Sequence, residues 1–380
     1  MGRLRKIAYI SGTRADYGLM SDLLKFLDND PQLSVEVIAT GMHLQEEFGN
    51  TVEEIKSDGF KTKEINCTFK NDDKSATVDF ISCFLKQLNN YFSQIRPDII
   101  LTIGDRPEVL TAAIVGSYLS IPVAHLHGGD ISSTADEHAR HAISKLAHIH
   151  FPATQESANR LVKMGEKKDT VITAGAPGLT FLNNSDYILS RQEIQQQLDI
   201  HLEKDYLLVL QHSVSQEVSE AENDITTTLE ALSETGYQSI VIYPNSDAGG
   251  RQIIEVIQRY SKHPKINSFP NINRRLFLSL MKHASIYLGN SSSGIIEAPA
   301  LGTPVINIGT RQDGRQTYGK VITVDYDKKH IVTAIKQLMN EKNDEAFKNP
   351  YLTYNTLEIV RDTLLNINLD TNLLQKQNSY

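Results

Sequence analysis

Residues 288–311 read LGNSSSGIIEAPALGTPVINIGTR, and they pack a strand end, an anion cradle and a helix start into one unit. The apolar run SIYLG closes on Gly289 as a buried strand. Asn290, Ser291, Ser292, Ser293 and Gly294 follow, with small side chains, hydroxyl donors and backbone N–H groups where a helix over residues 294–301 is expected to begin. The first N–H groups of a helix lack intrahelical partners and its dipole favours negative charge, so such a start binds anions. Glu297, one turn in, is placed to accept hydrogen bonds from paired ribose hydroxyls. Gly302, Thr303 and Pro304 turn the chain into a second apolar strand, VINIG, and Arg311 follows at its carboxyl end. A polar turn with a capped helix also reads NSSSG. Pro299, which limits the helix, and the cationic wall of Arg311 turn the reading toward a nucleotide-diphosphate site.

Outward from this stretch, apolar strand-like runs alternate with helical patterns. KIAYISG is followed by a helix from about residue 18, then come VEVIAT, DIILTIG with PEVLTAAIVGSYL, PVAHLHG and HIHFPAT. This alternation implies α/β architecture with a mostly parallel sheet and helices on both faces. The rhythm breaks over residues 175–197, where the interdomain hinge is expected, and restarts with DYLLVLQHS, QSIVIYPNSD, RQIIEVIQRYS, SIYLG and VINIG. Two doubly wound, Rossmann-like domains follow: residues 1–178 and 179–353, with a final helix over 354–376 crossing back to the first. The last residues, QKQNSY, are polar and expected to fray.

The bulk properties agree with a soluble two-domain protein. The chain has 380 residues, more than one hydrophobic core usually serves, with 40% hydrophobic and 22% charged residues. No segment has the apolar length of a membrane span, and MGRLRKIAYISG reads as a first strand rather than a leader. Lys6 stands where a myristoylation motif needs a hydroxyl residue. Lys and Arg total 38 against 46 Asp and Glu, a net charge of −8, so no nucleic-acid surface is expected and an anionic ligand must be held by local charges. Cys67 and Cys83 stand in no metal or redox spacing, which fits inert residues in a reducing cytoplasm.

In parallel sheets ligands bind beyond the carboxyl ends of the strands, and the polar clusters fall there. Arg14 and Asp16 follow the first strand, His43 the second, Asp105 and Arg106 the run DIILTIG, and His125, His127 and Asp130 lie at and after PVAHLHG. In the second half His212 follows LLVLQ, Asn245 and Asp247 follow IVIYP, and Ser291 and Ser292 follow SIYLG. Each also has a structural reading. Asp105 is placed to cap the helix near Pro107, Arg14 to pair with Asp16, and His125 with His127 to face one side of a strand as a polar pair. Asp136 and Glu137 at a helix start favour its dipole in any case. The histidine spacings match no metal motif, and no metal is expected.

Together TRADYG, GDRPE, HLHGGDISSTADEHARHAISKLAH, LQHSV, PNSDAGG and GNSSSGIIEAPALGTPVINIGTRQDGR resemble the hydrolysing UDP-N-acetylglucosamine 2-epimerases over nearly the whole chain. The resemblance implies the GT-B fold, with two Rossmann-like domains around a nucleotide-sugar cleft, and the conversion of UDP-GlcNAc and water to N-acetylmannosamine and UDP for sialic-acid-type sugars. It implies no cofactor, because no hydride moves, and a homodimer or dimer of dimers. Carried onto this chain, Asp105 and Asp136 are acid–base candidates and His212 serves the departing diphosphate. Arg14, Ser291, Ser292 and Arg311 bind phosphate, Glu297 the ribose, and Arg106, Asn245 and Asp247 shape the pocket, with His43, Asp130, Glu137 and Asn290 beside them. Where the animal enzyme has a glutamate before the double glycine, this chain has His127. Either His127 moves the proton, a role open to an imidazole as a residue type, or Asp130 or Glu137 substitutes. The alternatives are a relative acting on UDP-2,4-diacetamido-2,4,6-trideoxyglucose in legionaminic-acid synthesis, a GT-B glycosyltransferase, and a non-catalytic UDP-sugar sensor.

Overall fold

The computed structural model describes residues 4–71, 73–132, 135–214, 217–245, 247–341, 348–353 and 355–379. Ser133, Thr134, Ser246 and Tyr354, which fall in motifs and boundaries above, lie outside them. The chain divides into two compact units: Met1–Ile131, Ala135–Asn183 and Pro350–Tyr380 form one, Ser132–Thr134 and Asn184–Asn349 the other.

The first unit runs β1 (Arg5–Ser11), α1 (Arg14–Asp28), β2 (Leu33–Ala39), α2 (Val52–Ser57), β3 (Lys61–Glu64), α3 (Lys74–Ile95), β4 (Ile99–Ile103), α4 (Pro107–Tyr118), β5 (Val123–Leu126), α5 (Ala135–Leu146), β6 (Ile149–Phe151) and α6 (Gln155–Lys163). Its strands pair in parallel in the order β3-β2-β1-β4-β5-β6. Ile7, Ala8, Tyr9 and Ile10 of β1 are all buried, because a parallel strand covered on both faces must be apolar throughout. Phe80, Phe84, Leu88 and Phe92 recur every fourth residue on α3 and are buried together. Phe84→Ala would cost about 3–5 kcal/mol by opening a cavity there.

The second unit runs α7 (Arg191–Leu198), β7 (Tyr206–Leu210), α8 (Ala221–Thr235), β8 (Gln238–Ile242), α9 (Gly250–Arg259), β9 (Ile266–Phe269), α10 (Arg274–His283), β10 (Ile286–Gly289), α11 (Ser293–Ala300), β11 (Val305–Ile308), β12 (Val321–Val324) and α12 (Lys328–Asn340). Its parallel sheet has the order β12-β11-β10-β7-β8-β9. Both orders are the doubly wound one, in which the third and fourth strands of each unit lie on opposite sides of the first. The connections therefore diverge between β1 and β4 and between β7 and β10, leaving a place for a ligand at those carboxyl ends. At Gly289 the backbone takes φ of 139°, and a Cβ there would stand 2.0 Å from the Leu210 carbonyl oxygen. Only glycine lets β10 run so close to β7 at that edge.

The chain then returns to the first unit as α13 (Thr356–Asn366) and α14 (Thr371–Leu374), a broken pair rather than one helix. The division follows Asn183 rather than residue 178, because the 3-10 segment Pro177–Asn183 packs on α1 and α13.

Four local expectations are corrected. α1 begins at Arg14, not near residue 18, because Thr13 and Asp16 form a reciprocal capping box. β5 ends at Leu126, and His127 follows with φ of 60°, so His125 and His127 do not alternate along a strand. Cys67 and Cys83 are disulfide-bonded, their Cα atoms 6.0 Å apart, because the chain after β3 folds onto α3. The pair thus gives no argument for a reducing compartment. Finally, the polar tail is tied down rather than frayed. Lys376 Nζ donates to the carbonyls of Ser144, Lys145 and Ala147 at the end of α5, and Ser379 N donates to Gly165 O. An ammonium there supplies donors to carbonyls that α5 leaves unpaired. Among the described residues no helix is long and apolar enough to cross a membrane.

Candidate functional site

The first unit gathers charge at the ends of β1, β4 and β5. Asp16 folds back from α1 to accept from Gly12 N (3.0 Å), Thr13 N (2.8 Å) and Tyr9 Oη (3.1 Å), and also from Ser11 Oγ. Its carboxylate thereby stiffens the β1–α1 turn. Arg14 occupies the first position of α1, and burial, opposed by Glu54, lowers its pKa to about 10, so it stays cationic at neutral pH. His43 is fully buried, its ring nitrogens facing Ser11 Oγ (2.8 Å) and Thr51 Oγ1 (2.7 Å), and burial drives its pKa to about 4. It is a neutral brace behind the β1 turn. Glu108 is buried against Gly12 and Gly41, with Arg106 Nε 3.4 Å from its carboxylate.

Asp105 does not cap α4, whose N-cap residue is Arg106. It forms an ion pair with Arg140 of α5, which is 2% exposed. The other arm of that guanidinium donates to Asp130 O at 3.0 Å. Burial disfavours the charge on Arg140, but Asp105, Asp130 and Asp136 outweigh it and raise its pKa. One buried cation therefore ties the Asp105 carboxylate to the backbone of the Asp130 loop. Glu137, on the same first turn of α5, lies 3.6 Å from His141. His125 faces Gly104 O at 2.7 Å, and burial pushes its pKa down to about 3, so it supports the β4 end as a neutral ring. His127 Nδ1 lies 3.4 Å from Asp130 Oδ2.

The second unit builds its cradle at the ends of β7 and β10. Asn290 spends its side chain on the backbone of His212, accepting from His212 N at 2.7 Å and donating to His212 O at 2.8 Å. Its own carbonyl accepts from Arg311 Nη1 (3.2 Å) and Gln312 Nε2 (2.8 Å), which brings the guanidinium to the start of α11. Ser291 and Ser293 hydroxyls are 2.9 Å apart, and Ser293 reaches Tyr287 Oη at 2.7 Å. Ser292, the N-cap of α11, makes no side-chain capping bond. His212 Nδ1 accepts from Asn245 N at 3.3 Å, which leaves the proton of a neutral ring on Nε2. Asp247 turns the chain into α9 through its carbonyl, which accepts from Gly250 N at 2.8 Å. Glu297 is buried and pairs with Arg274 at 3.2 Å.

Arg140, Ser157, Arg274 and Gln312 were not singled out from the sequence. Arg140 alone left a trace: it stands three residues before Ile143 and seven before Ala147, on the stripe that α5 buries, where a charge needs a buried partner. Among the described residues no group of three or more His, Cys, Asp or Glu side chains is arranged to hold a metal ion.

A family model described as UDP-N-acetylglucosamine 2-epimerase matches residues 25–365. A UDP-N,N'-diacetylbacillosamine 2-epimerase (hydrolyzing) of Legionella pneumophila is 40% identical over 379 residues, covering 99% of this chain and 100% of that protein. A UDP-N-acetylglucosamine 2-epimerase of Neisseria meningitidis serogroup B is 36% identical over 344 residues, 90% of each chain. The solved UDP-GlcNAc 2-epimerase of Methanocaldococcus jannaschii, in complex with UDP-GlcNAc and UDP, superposes with a TM-score of 0.79 at 20% identity, over 95% of this chain and 99% of that one. That likeness establishes the GT-B type of fold.

Proposed function

This chain belongs to the UDP-N-acetylglucosamine 2-epimerase family, and we propose that it is a hydrolysing member that releases UDP and a 2-epimerised acetamido sugar for nonulosonic-acid synthesis. One observation carries the reading. The same chain holds an Asp105–Arg140–Asp130 cluster, built on the buried Arg140, beside His127 at one sheet edge and an Asn290–Ser291–Arg311 cradle beside His212 at another.

A base takes the C2 proton, the C–H pair becomes the C1=C2 bond, and the C1–O pair leaves with the β-phosphate of UDP. Water then adds its hydroxyl to C1 while C2 takes a proton from the opposite face. Proton-transfer groups are needed on two faces of the sugar, and Asp105, His127 and Asp136 are the candidates for them. Arg14, Ser291, Ser292 and Arg311 bind the diphosphate, and His212 donates from Nε2 to the departing oxygen, where charge develops. Glu297 takes the ribose, Asn245 and Asp247 shape the nucleotide side on the second unit, and Arg106 and Glu137 the sugar side on the first. His43 and Asn290 act by holding the strand ends.

Two sugars suit this scheme, UDP-GlcNAc and UDP-2,4-diacetamido-2,4,6-trideoxyglucose. The identity to the Legionella relative over the full length of both chains favours the diacetamido sugar, where the sequence motifs alone favoured UDP-GlcNAc. Proton NMR in D2O with each UDP sugar tests the reading. Free sugar with deuterium at C2, together with UDP, is the expected product. Transfer of the sugar to an added acceptor would make the protein a glycosyltransferase, and UDP binding without turnover of either sugar would make it a sensor.

A further inference from the structure

We infer that Ser157, Asp130 and His127 form a relay that keeps the ring proton of His127 on Nδ1, making Nε2 the atom that removes the C2 proton. The inference rests on the reaction proposed above and assigns Asp130 and Ser157 as positioning residues.

The first observation is backbone strain. His127 has φ of 60° in the left-handed region, which a non-glycine residue occupies at a cost and which recurs at functional sites. The second is burial without a partner. His127 is 9% exposed, and its Nε2 has no hydrogen-bond partner among the described residues, although an unpaired buried polar atom is ordinarily destabilising. Strain and desolvation thus converge on one ring nitrogen.

The third observation is what stands behind the ring. Nδ1 lies at ion-pair distance, 3.4 Å, from Asp130 Oδ2, and Asp130 is held by a hydrogen bond that its Oδ1 accepts from Ser157 Oγ at 2.6 Å. Ser157 is set by Thr154, the N-cap of α6, whose Oγ1 accepts from Ser157 N at 3.1 Å. The loop is pinned from two helices: Arg140 on α5 donates to Asp130 O, and Arg160 on α6 donates to Gly129 O. At Gly129 a Cβ would come within 2.4 Å of Ser157 O, so the loop lies directly on the first turn of α6. A carboxylate facing Nδ1 favours the Nδ1–H tautomer and stabilises the imidazolium formed when Nε2 takes a proton, the general logic of an oriented base. A histidine so held does the work of the carboxylate that the family pattern places there.

In the step, the Nε2 lone pair takes the C2 proton, the C–H pair becomes the C1=C2 bond, and the C1–O pair leaves on UDP. Hydration then gives hydroxyl to C1 and a proton to C2 from an acid on the other face, which the remaining proton of that water restores. The proton on His127 leaves to solvent with the UDP anion. Asp130 faces the ring, and the other charged groups on the elements packed against its loop are Arg140 on α5 with its partner Asp105, and Arg160 on α6 with its partner Glu156.

Nitrogen-15 spectra of histidine-labelled protein test the tautomer without substrate, with His127→Gln identifying the resonance. Wild type should show a protonated Nδ1 and an unprotonated Nε2 at neutral pH, and Asp130→Asn should lose that preference. In turnover, Asp130→Asn and Ser157→Ala should lower kcat by about 10- to 1000-fold with KM within about threefold, and shift the pH profile of kcat, while Ser157→Thr keeps most activity. A proton on Nε2 in the wild type overturns the relay. So does wild-type kcat in folded Asp130→Asn and Ser157→Ala. Absence of turnover by wild type on either UDP sugar would instead remove the proposed reaction, and the spectra would still decide the relay.

Discussion

Asn290 grips both backbone groups of His212, accepting from its N–H and donating to its carbonyl, and so joins the carboxyl ends of β10 and β7. An amide is the one common side chain that can do this, since it carries a donor and an acceptor side by side. The sequence motif presents Asn290 as part of the cradle. Its place makes it the part that holds the cradle to the histidine.

Asn290→Asp turns the donor into an acceptor facing a carbonyl, so stability should fall by about 1–3 kcal/mol. UDP should bind more weakly as His212 and the α11 start drift apart. Urea unfolding and calorimetric titration with UDP check both effects, and an aspartate variant as stable as wild type would refute the clamp.

Arg311→Ala removes a charge-assisted contact from the proposed diphosphate site. The Kd for UDP should rise about 10- to 100-fold, as expected for losing about 1.5–3 kcal/mol. Arg259→Ala is the control, because Arg259 is exposed and paired with Glu222 on the surface. Equal losses in the two variants would deny Arg311 its role.

Lys376→Met should destabilise the first unit by about 1–3 kcal/mol, since its charged hydrogen bonds are lost while Lys145 and His150 still face Glu166. Burial would raise the pKa of Glu166, but bonds from His150, Lys145 and Lys376 outweigh it and hold the carboxyl at about 2. The stability this contributes is present above the unfolded pKa, near 4.5, and lost as pH falls through about 2. Without Lys376 the loss should begin at higher pH in an acid titration followed by circular dichroism. Unchanged acid and urea midpoints would show the tail to be dispensable.

Acid should also destabilise the protein well above the carboxylate range. Burial lowers the pKa of His43 and His148 to about 4 and that of His125 to about 3. Between those values and the unfolded value near 6.5 the unfolded chain binds more protons, so stability falls as pH falls. By pH 5 each of these histidines should have cost about 2 kcal/mol. Urea unfolding at pH 7.5, 6 and 5 measures the slope, and a flat profile would mean that these rings are charged in the fold.

The strand-end placement of the candidate residues was legible in the sequence. An apolar run followed by a polar residue locates the carboxyl edge of a parallel sheet, and Asp105, His127, His212 and Ser291 were found that way. The start of α1 was read late because the apolar period begins at Tyr17, although Thr13 and Asp16 already spell a capping box. The turn of His127 out of β5 was hidden, since a histidine before two glycines carries no sign of a positive φ. Nor did the spacing of Cys67 and Cys83 announce their bond, which depends on a loop crossing to another helix.

By itself the sequence determined the two α/β halves, the strand edges that bear polar residues, and the family to which the chain belongs, because periodicity and motif spacing are local properties of the chain. Only the tertiary structure decided that Arg140 joins Asp105 to Asp130, that Asn290 serves His212, and that Lys376 closes α5 from the far end of the chain. Those pairs lie 35, 10, 78 and 229 residues apart. Hydrogen bonds and ion pairs depend on separation in space, which packing sets and sequence distance does not.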